Sequence, residues 1–313
     1  MKGLRHFFLL YLFLFIACSS SPKRIMLVSD SSNVAYSQLE EANNSIIAGK
    51  YSRAYNLLSS GYNLALSVDN TDLLCKILLS GIVYKISSPE KSSLPQGSDS
   101  VSPAESESFL LQHKESLLSQ AKKLAGRSES KKLLSDLCAV YDVRIRLENE
   151  KLAENGRIDS GKKNDWLSVL DDVQPGVSKE SYYHAYLYRT KGDVCMAGGD
   201  YSLAQDYYAE AAKIHTKERY LLEIGLDWYC LARACSLGGK KSEALSAIQT
   251  ALKYDKDAEN SLGIASDYLA CSKILLKGNP SEEDKKLSAE LALWSEKILR
   301  AGGLLETFSG VAE

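Results

Sequence analysis

A short passage that occurs twice in succession limits the fold of this chain more than any other feature of its sequence. The landmark residues are Tyr188, Gly192, Gly199, Ala204, Tyr208 and Ala211 in the first copy, and Trp228, Ala232, Gly239, Ala244, Ile248 and Ala251 in the second. Each residue of the second set follows its counterpart by 40 positions. A fixed period of this size is typical of stacked units, because a single helical hairpin cannot bury its own apolar face. The sequence therefore predicts a row of helical hairpins.

The spacing inside each copy indicates how such hairpins would pack. Tyr188 and Gly192 are four positions apart and therefore lie on one helical face, where the small residue lets a neighbouring helix come close. A pair of glycines follows each first helix, at Gly198-Gly199 and at Gly238-Gly239, and glycine accepts the positive φ that ends a helix. Asp200 is placed to cap the helix after the first turn.

The order of aromatic residue, small residue, turn glycine, alanine, bulky residue and alanine resembles the tetratricopeptide repeat (TPR). The segments Gly199-Asp200-Tyr201-Ser202-Leu203-Ala204 and Ser242-Glu243-Ala244-Leu245 resemble the centre of its motif. The period of 40 residues departs from the usual value of about 34, and Thr216 and Lys256 stand where a closing proline often occurs. The resemblance implies an all-α fold, a TPR-like right-handed superhelical α-solenoid.

Helical patterns on both sides of the two clear copies bring the expected total to about six hairpins over residues 33–301. The additional helices are predicted at 33–48 and 51–67, 71–86 and 107–125, 131–153 and a short stretch around Trp166, and 260–277 and 281–300. Residues 87–106 are rich in serine and proline and are predicted to be a disordered insertion, because they cannot bury enough apolar surface to become ordered.

Three further predictions concern boundaries. Pro175-Gly176 is expected to break the chain before the two clear copies. Gly278-Asn279-Pro280 is expected to supply a helix stop, a cap and a first-turn proline in succession. Residues 302–313 are predicted to be a fraying C-terminal tail.

The N-terminus resembles the leader of a bacterial lipoprotein. Lys2 and Arg5 precede an apolar run at 7–17 that is too short to span a bilayer as a helix, which needs about 20 residues. Phe15-Ile16-Ala17-Cys18 resembles a lipobox, which implies a signal peptide over residues 1–17, acylation (palmitate) at Cys18 and membrane anchoring through several acyl chains. The alternative is an ordinary signal peptide with an incidental cysteine.

The residues after the leader complete the expected location. Residues 18–32 are polar and are predicted to be a flexible tether between the membrane and the folded part. Ser19, rather than an acidic residue, follows the cysteine, and this fits sorting to the periplasmic face of the outer membrane. The protein is therefore expected to be lipid-anchored in the cell envelope.

The sequence contains no motif of catalytic chemistry. His113, His184 and His215 are scattered and form no metal-binding pair, and the glycine–lysine pairs lack the rest of a phosphate loop. No Gly-x-Ser-x-Gly nucleophile elbow is present. We therefore predict no enzymatic activity, no catalytic residue, no metal and no cofactor. A net charge of −2 also argues against nucleic acid as a partner.

Six cysteines follow the leader. They are Cys75, Cys138, Cys195, Cys230, Cys235 and Cys271. None belongs to a Cys-x-x-Cys pair, so a zinc or thioredoxin-like site is not expected. All six fall on the first helix of a predicted hairpin, where buried cysteine behaves as a small apolar residue. Disulfides between neighbouring first helices are the alternative in an exported protein.

The resemblance to TPR proteins implies a binding face, because their first helices line a concave groove for peptides or partner segments. Carried over to the two clear copies, the groove positions are Tyr186, Arg189, Asp193, Tyr229 and Arg233. Two arginines among tyrosines suit an anionic group, such as a chain terminus or a carboxylate ligand. The alternative is a solvated face with incidental charges.

These observations predict a non-catalytic scaffold lipoprotein that binds a protein partner through the concave face of the solenoid. One version resembles the TPR lipoproteins associated with TRAP-type transporters, which implies a periplasmic solute-binding protein as the partner. Two alternatives stay open. One is an accessory lipoprotein of outer-membrane assembly, and the other is a periplasmic carrier of a small apolar organic acid.

Overall fold

The computed structural model describes residues 30–88, 109–153, 157–305 and 308. These residues form twelve α-helices and one short 3-10 helix, and no β-strand occurs among them. The first six helices are α1 (Asp30–Ile47), α2 (Tyr51–Ser67), α3 (Thr71–Ser87), α4 (Lys114–Ala125), α5 (Lys131–Ala153) and α6 (Ser160–Val177). The other six are α7 (Ser181–Ala197), α8 (Tyr201–Glu218), α9 (Leu221–Leu237), α10 (Lys241–Asp257), α11 (Ser261–Leu275) and α12 (Glu282–Ala301). The 3-10 helix, Phe109–Leu111, precedes α4.

The helices pair into six hairpins that stack in sequence order. Each odd-numbered helix packs against the even-numbered helix that follows it, and each hairpin packs against the next. The first helices of neighbouring hairpins also contact one another, as α3 does with α5 and α5 with α7. The predicted all-α, TPR-like solenoid of about six hairpins is therefore confirmed.

The turns of the two clear copies have the same backbone geometry. Gly199 has a φ of +75° and Gly239 a φ of +79°, in the left-handed region that a Cβ atom disfavours. The residues after them, Asp200 and Lys240, have φ and ψ of −90° and 72°, and of −91° and 73°. Asp200 caps α8, with its side chain accepting from the Leu203 amide, whereas Lys240 makes no such bond. The glycine, which both turns share, therefore determines the turn more than the cap does.

The apolar core changes along the stack. One continuous cluster of leucine, isoleucine, valine and tyrosine side chains joins α1 to α7. The cluster between α9, α10 and α11 is smaller and contains four alanines, Ala232, Ala244, Ala247 and Ala251. Leu304 and Phe308, from the predicted tail, pack against Leu262 and Leu299 in the last cluster. Small side chains bring the helices of the later hairpins close together.

Helix boundaries differ from the sequence predictions in three places. Helix α6 continues through Pro175 to Val177, and a Cβ at Gly176 would lie 1.9 Å from an Asp136 carboxylate oxygen. Gly176 therefore permits close packing of α5 and α6 and does not break the helix. The cap of α12 is Ser281 and not Asn279, since Ser281 and Asp284 form a reciprocal capping box. Helix α1 begins at Asp30, inside the predicted tether.

The stack curves back on itself. Helix α1 contacts α9 in addition to its own neighbours. Lys76 of α3 forms an ion pair with Glu180, at the start of α7, with Nζ 2.9 Å from both carboxylate oxygens. The leader, Cys18 and nearly all of the serine-rich insertion lie outside the described residues. No helix in the described ranges combines the length and the apolar character needed to cross a membrane.

Candidate functional site

The five predicted groove residues lie on two first helices. Tyr186, Arg189 and Asp193 follow one another on α7, and Tyr229 and Arg233 lie on α9. Helix α5 contacts α7 as well. The structure brings the five residues into one region of the molecule, but it gives them very different surroundings.

Arg189 lies inside the protein with an exposed fraction of 7%. Its guanidinium lies 2.5 Å from a Glu223 carboxylate oxygen and 2.6 Å from Oδ1 of Asp227, and it donates to the Glu223 carbonyl oxygen as well. Both carboxylates belong to α9, so the arginine joins two consecutive hairpins. Its donors are therefore directed at internal acceptors.

Two further side chains complete this buried network. Nδ1 of His215, from α8, lies 2.6 Å from Oδ2 of Asp227, and the Tyr182 hydroxyl donates to Glu223 over 2.9 Å. Burial alone would raise the pKa of Glu223, but Arg189 and then His215 outweigh it and hold this pKa below its usual value. Side chains of α7, α8 and α9 thus meet in one buried network in which positive and negative charges compensate each other.

Asp193 is also tied to protein groups. Tyr208 of α8 donates its hydroxyl proton to Oδ1 of Asp193 over 2.6 Å, and Arg144 of α5 forms an ion pair with the other oxygen. Burial would raise the pKa of Asp193, but Arg144 and Lys151 hold it below its usual value. The carboxylate therefore links α5, α7 and α8 and stays ionised.

Tyr186 presents a hydroxyl that has no partner among the described residues. Its ring stacks on Tyr141 of α5, with the centroids 5.0 Å apart. The oxygen is shielded from solvent and makes no hydrogen bond within the described ranges. A buried polar atom of this kind indicates a site where a hydrogen-bonding group could bind.

Arg233 differs from Arg189 in being exposed, and no ion pair holds it to any other described residue. Lys151 of α5 lies nearby with 42% of its side-chain surface accessible, 3.7 Å from Glu148. Burial lowers the pKa of Lys151, and the charges of Arg144 and Arg233 lower it further. Solvent therefore reaches Lys151 although protein surrounds it on several sides, as expected for a side chain on a concave surface.

Arg144, Lys151 and Arg233 therefore gather around Asp193 in the C-terminal halves of α5, α7 and α9. We call these three side chains the cationic cluster. Asp193 and Glu148 neutralise only part of its charge, and the half-buried Tyr229 lies one helical turn before Arg233. Of the predicted set, Arg233 and Tyr229 remain accessible, whereas Arg189 and Asp193 hold the helices together.

A second buried polar group lies where α9, α10 and α11 meet. Asp255 and Asp267 are 3% and 1% exposed and lie close enough together to share a proton, and neither oxygen of Asp267 has another partner among the described residues. Asn260 donates to Oδ1 of Asp255 over 2.7 Å. A Cβ at Gly225 or Gly263 would lie within 3 Å of the Asp255 carboxyl group, so two glycines make room for it. We call Asp255 and Asp267 the acid pair.

The six cysteines among the described residues are free thiols, five of them buried and Cys271 half-buried. Cys75 donates to the Ala121 carbonyl oxygen over 3.5 Å and also contacts the thiol of Cys138. In the structure these six cysteines are therefore packing residues and form no disulfide with one another. Within the described residues, no group of three or more His, Cys, Asp or Glu side chains could hold a metal ion.

Sequence reasoning missed the buried network, the acid pair and two members of the cationic cluster. A signal for the network was present, because Glu223 and Asp227 are four positions apart in the otherwise apolar start of α9. Charged residues on an apolar helix are rarely buried unless they are paired. No such signal marked Arg144 and Lys151, since they belong to a helix outside the two clear copies.

No protein-family profile matches the chain, and no curated protein matches it. Among solved structures, a similar one is the crystal structure of Rap protein complexed with competence and sporulation factor. It is 15% identical, covers 90% of this chain and 93% of that chain, and has a TM-score of 0.36. A likeness of this size carries no argument about function, and the TPR-like description rests on the helices and turns themselves.

Proposed function

We propose that this chain is a non-catalytic scaffold that binds an acidic group of a protein partner at the cationic cluster. The observation that carries the proposal is the environment of Arg233, which is exposed, unpaired among the described residues and close to Lys151. A guanidinium in this position can bind a carboxylate through two parallel hydrogen bonds. The fold supports a protein-binding role, since a curved row of first helices offers an extended surface.

The tyrosines beside the cluster support a peptide segment as the ligand. Tyr186 offers a buried hydroxyl without a partner in the described ranges, and Tyr229 offers a half-buried ring next to Arg233. Aromatic side chains of this kind supply contact area and one polar atom each. An acidic chain terminus or an aspartate or glutamate side chain in an extended segment would use all of these groups.

The proposal includes the envelope location expected from the leader. Acylation at Cys18 would hold the solenoid at the periplasmic face of the outer membrane, and a solute-binding protein of a TRAP-type transporter would be a partner within reach. Metabolic labelling with a palmitate analogue tests the anchor. Cys18→Ala should abolish incorporation, and incorporation that persists would refute acylation at this position.

The binding site is tested with Arg233→Ala and Lys151→Ala. The partner is first captured by crosslinking on membranes and identified by mass spectrometry, and its affinity is then measured by titration. Each substitution should weaken binding at least about tenfold, as expected for loss of a charge-assisted hydrogen bond worth roughly 1.5–3 kcal/mol. Arg146→Ala is the matched control, because Arg146 is an exposed arginine on α5 outside the cluster.

Other outcomes separate the alternatives. Unchanged affinity in both cluster variants would remove this site from the proposal. A partner belonging to the outer-membrane assembly machinery, accompanied by loss of outer-membrane barrels on depletion, would favour the assembly role. A small organic acid found by mass spectrometry in the purified protein, and lost from Arg233→Ala, would favour the carrier role.

A further inference from the structure

Helix α12, the last α-helix in the described ranges, exposes apolar side chains on its outer face. Leu287 and Trp294 are 45% and 55% exposed and lie seven positions apart, which places them on one face of the helix. The half-buried Leu291 and Ile298 border them. We call these four residues the outer stripe. Solenoid proteins normally present a polar surface at the end of the stack, so an apolar stripe there marks an interaction surface.

Comparison with α10 shows that the repeat does not require this stripe. The buried residues Ala244, Ala251 and Asp255 of α10 correspond to Ser288, Ser295 and Leu299 of α12, each 44 positions later. In the same register, Leu287 and Trp294 correspond to Glu243 and Thr250. The equivalent positions of an internal helix are therefore polar, and the leucine and tryptophan serve something specific to α12.

The charges that flank the stripe have no ion-pair partner in the described part of the chain. Glu283, Lys286, Glu290 and Lys297 form no ion pair with any other described residue, although Lys297 lies over the Trp294 ring at 5.0 Å. On the other side of the helix, by contrast, Lys285 pairs with Glu282 and Arg300 with Glu296. The stripe thus carries acidic Glu283 at its N-terminal end and basic Lys297 at its C-terminal end.

The outer stripe and its flanking charges are self-complementary when two copies of α12 lie antiparallel. A twofold axis near residues 290–291 places Leu287 of one copy against Trp294 of the other. The same operation sets Glu283 opposite Lys297, and the two helix dipoles become antiparallel. We propose that α12 pairs with α12 of a second copy of this chain in this antiparallel arrangement. Glu290 meets its own counterpart near the axis, a like-charge contact that opposes the association.

Cysteine crosslinking of the full chain in intact membranes tests the geometry. Glu290→Cys lies near the proposed axis, and treatment with a short bismaleimide should give a dimer band. Glu296→Cys is the matched control, because Glu296 is exposed on the opposite side of the same helix. The control and the wild type should stay at background, and a Glu290→Cys yield no higher than background would overturn the proposal.

Two sets of substitutions in the Glu290→Cys chain test the contacts. Leu287→Glu with Trp294→Glu should reduce the dimer band to background, whereas Leu293→Glu should not, because Leu293 is 51% exposed but lies outside the stripe. An equal loss of the dimer band in both sets would contradict the placement of Leu287 and Trp294 in the contact.

A charge swap leaves the apolar contacts in place and changes only exposed side chains, with a modest loss of stability expected for lysine at Glu283 in the first turn of α12. Glu283→Lys and Lys297→Glu should each lower the yield several-fold, and the double swap should restore it. Failure of the double swap to exceed the singles would refute the antiparallel pairing.

Discussion

At the scale of single residues, the two clear copies differ in a compensating way. The first copy has Gly192 against Tyr208, and the second has Ala232 and Ile248 at the corresponding positions. A Cβ at Gly192 would lie 2.5–2.8 Å from three atoms of the Tyr208 ring. The smaller isoleucine leaves room for the alanine methyl group. The size of the small residue on the first helix is therefore set by the residue it meets on the second.

Gly192→Ala should lower the free energy of unfolding by about 1–3 kcal/mol, as overpacking of a core typically does. Tyr208 cannot move away easily, because its ring is buried and its hydroxyl is bonded to Asp193. Urea denaturation measures the change. Tyr208→Ile in the same chain reproduces the second copy and should make the combined loss smaller than the sum of the two single losses. Simple additivity would show that the two residues do not clash.

Arg189→Ala should destabilise the protein by roughly 3–5 kcal/mol, because it leaves Glu223 and Asp227 buried without their main cation. Arg146→Ala removes an exposed arginine from an ion pair on one helix and should cost about 0–1 kcal/mol. Thermal and urea unfolding of both variants provide the comparison. Similar losses in the two variants would mean that Arg189 is not part of a buried network.

At the scale of secondary-structure elements, the acid pair makes the junction of α10 and α11 depend on pH. Burial and the neighbouring Asp255 raise the pKa of Asp267 to about 10, so the pair retains a proton in the folded state. The unfolded side chain titrates near the ordinary value of about 4. Since the folded state binds this proton more tightly, its stability contribution is lost progressively as the pH rises above 4.

Asp267→Asn supplies a permanent donor in place of the shared proton and should reduce this pH dependence. The free energy of unfolding of the variant, relative to that of wild type, should rise from pH 5 to pH 8 by up to about 1.4 kcal/mol per pH unit. Urea midpoints at the two pH values measure the gain. Asp257→Asn, an exposed residue of α10, should leave the slope as it is in wild type. A relative loss of stability at pH 8 would contradict a shared proton.

The hairpins could be predicted from the sequence, because their signals are local. Glycine at the left-handed turn positions and a constant period identify the two clear copies, and both recur in the structure. The start of α12 was predicted wrongly because two local signals competed. Pro280 was expected in the first turn of the helix, but the capping box of Ser281 places the start of the helix after it. The partners of Arg189 could not be predicted, since Glu223 and Asp227 are 34 and 38 positions away and no local pattern links them.

At the scale of the whole molecule, a row of hairpins is expected to unfold from its ends, because each unit contacts only its neighbours. Here the N-terminal end is held by the contact of α1 with α9 and by the ion pair of Lys76 with Glu180. The C-terminal end has no such support from the described residues.

Hydrogen exchange should therefore be asymmetric along the chain. Amides of α12 should exchange at least about tenfold faster than those of α1, at protein concentrations low enough for α12 to be unpaired. Mass spectrometry of peptides from the two helices measures the ratio. Equal exchange at both ends would show that the contact of α1 with α9 contributes no protection.

The contact between α1 and α9 also limits the direction from which a partner segment can approach the cationic cluster. Helix α1 contacts α9, and Glu40 of α1 adds to the effect of burial in raising the pKa of Tyr220 just before α9. The cationic cluster lies in the C-terminal halves of α5, α7 and α9. An acidic segment that binds the cationic cluster, as proposed, would therefore approach from the side of the stack away from α1.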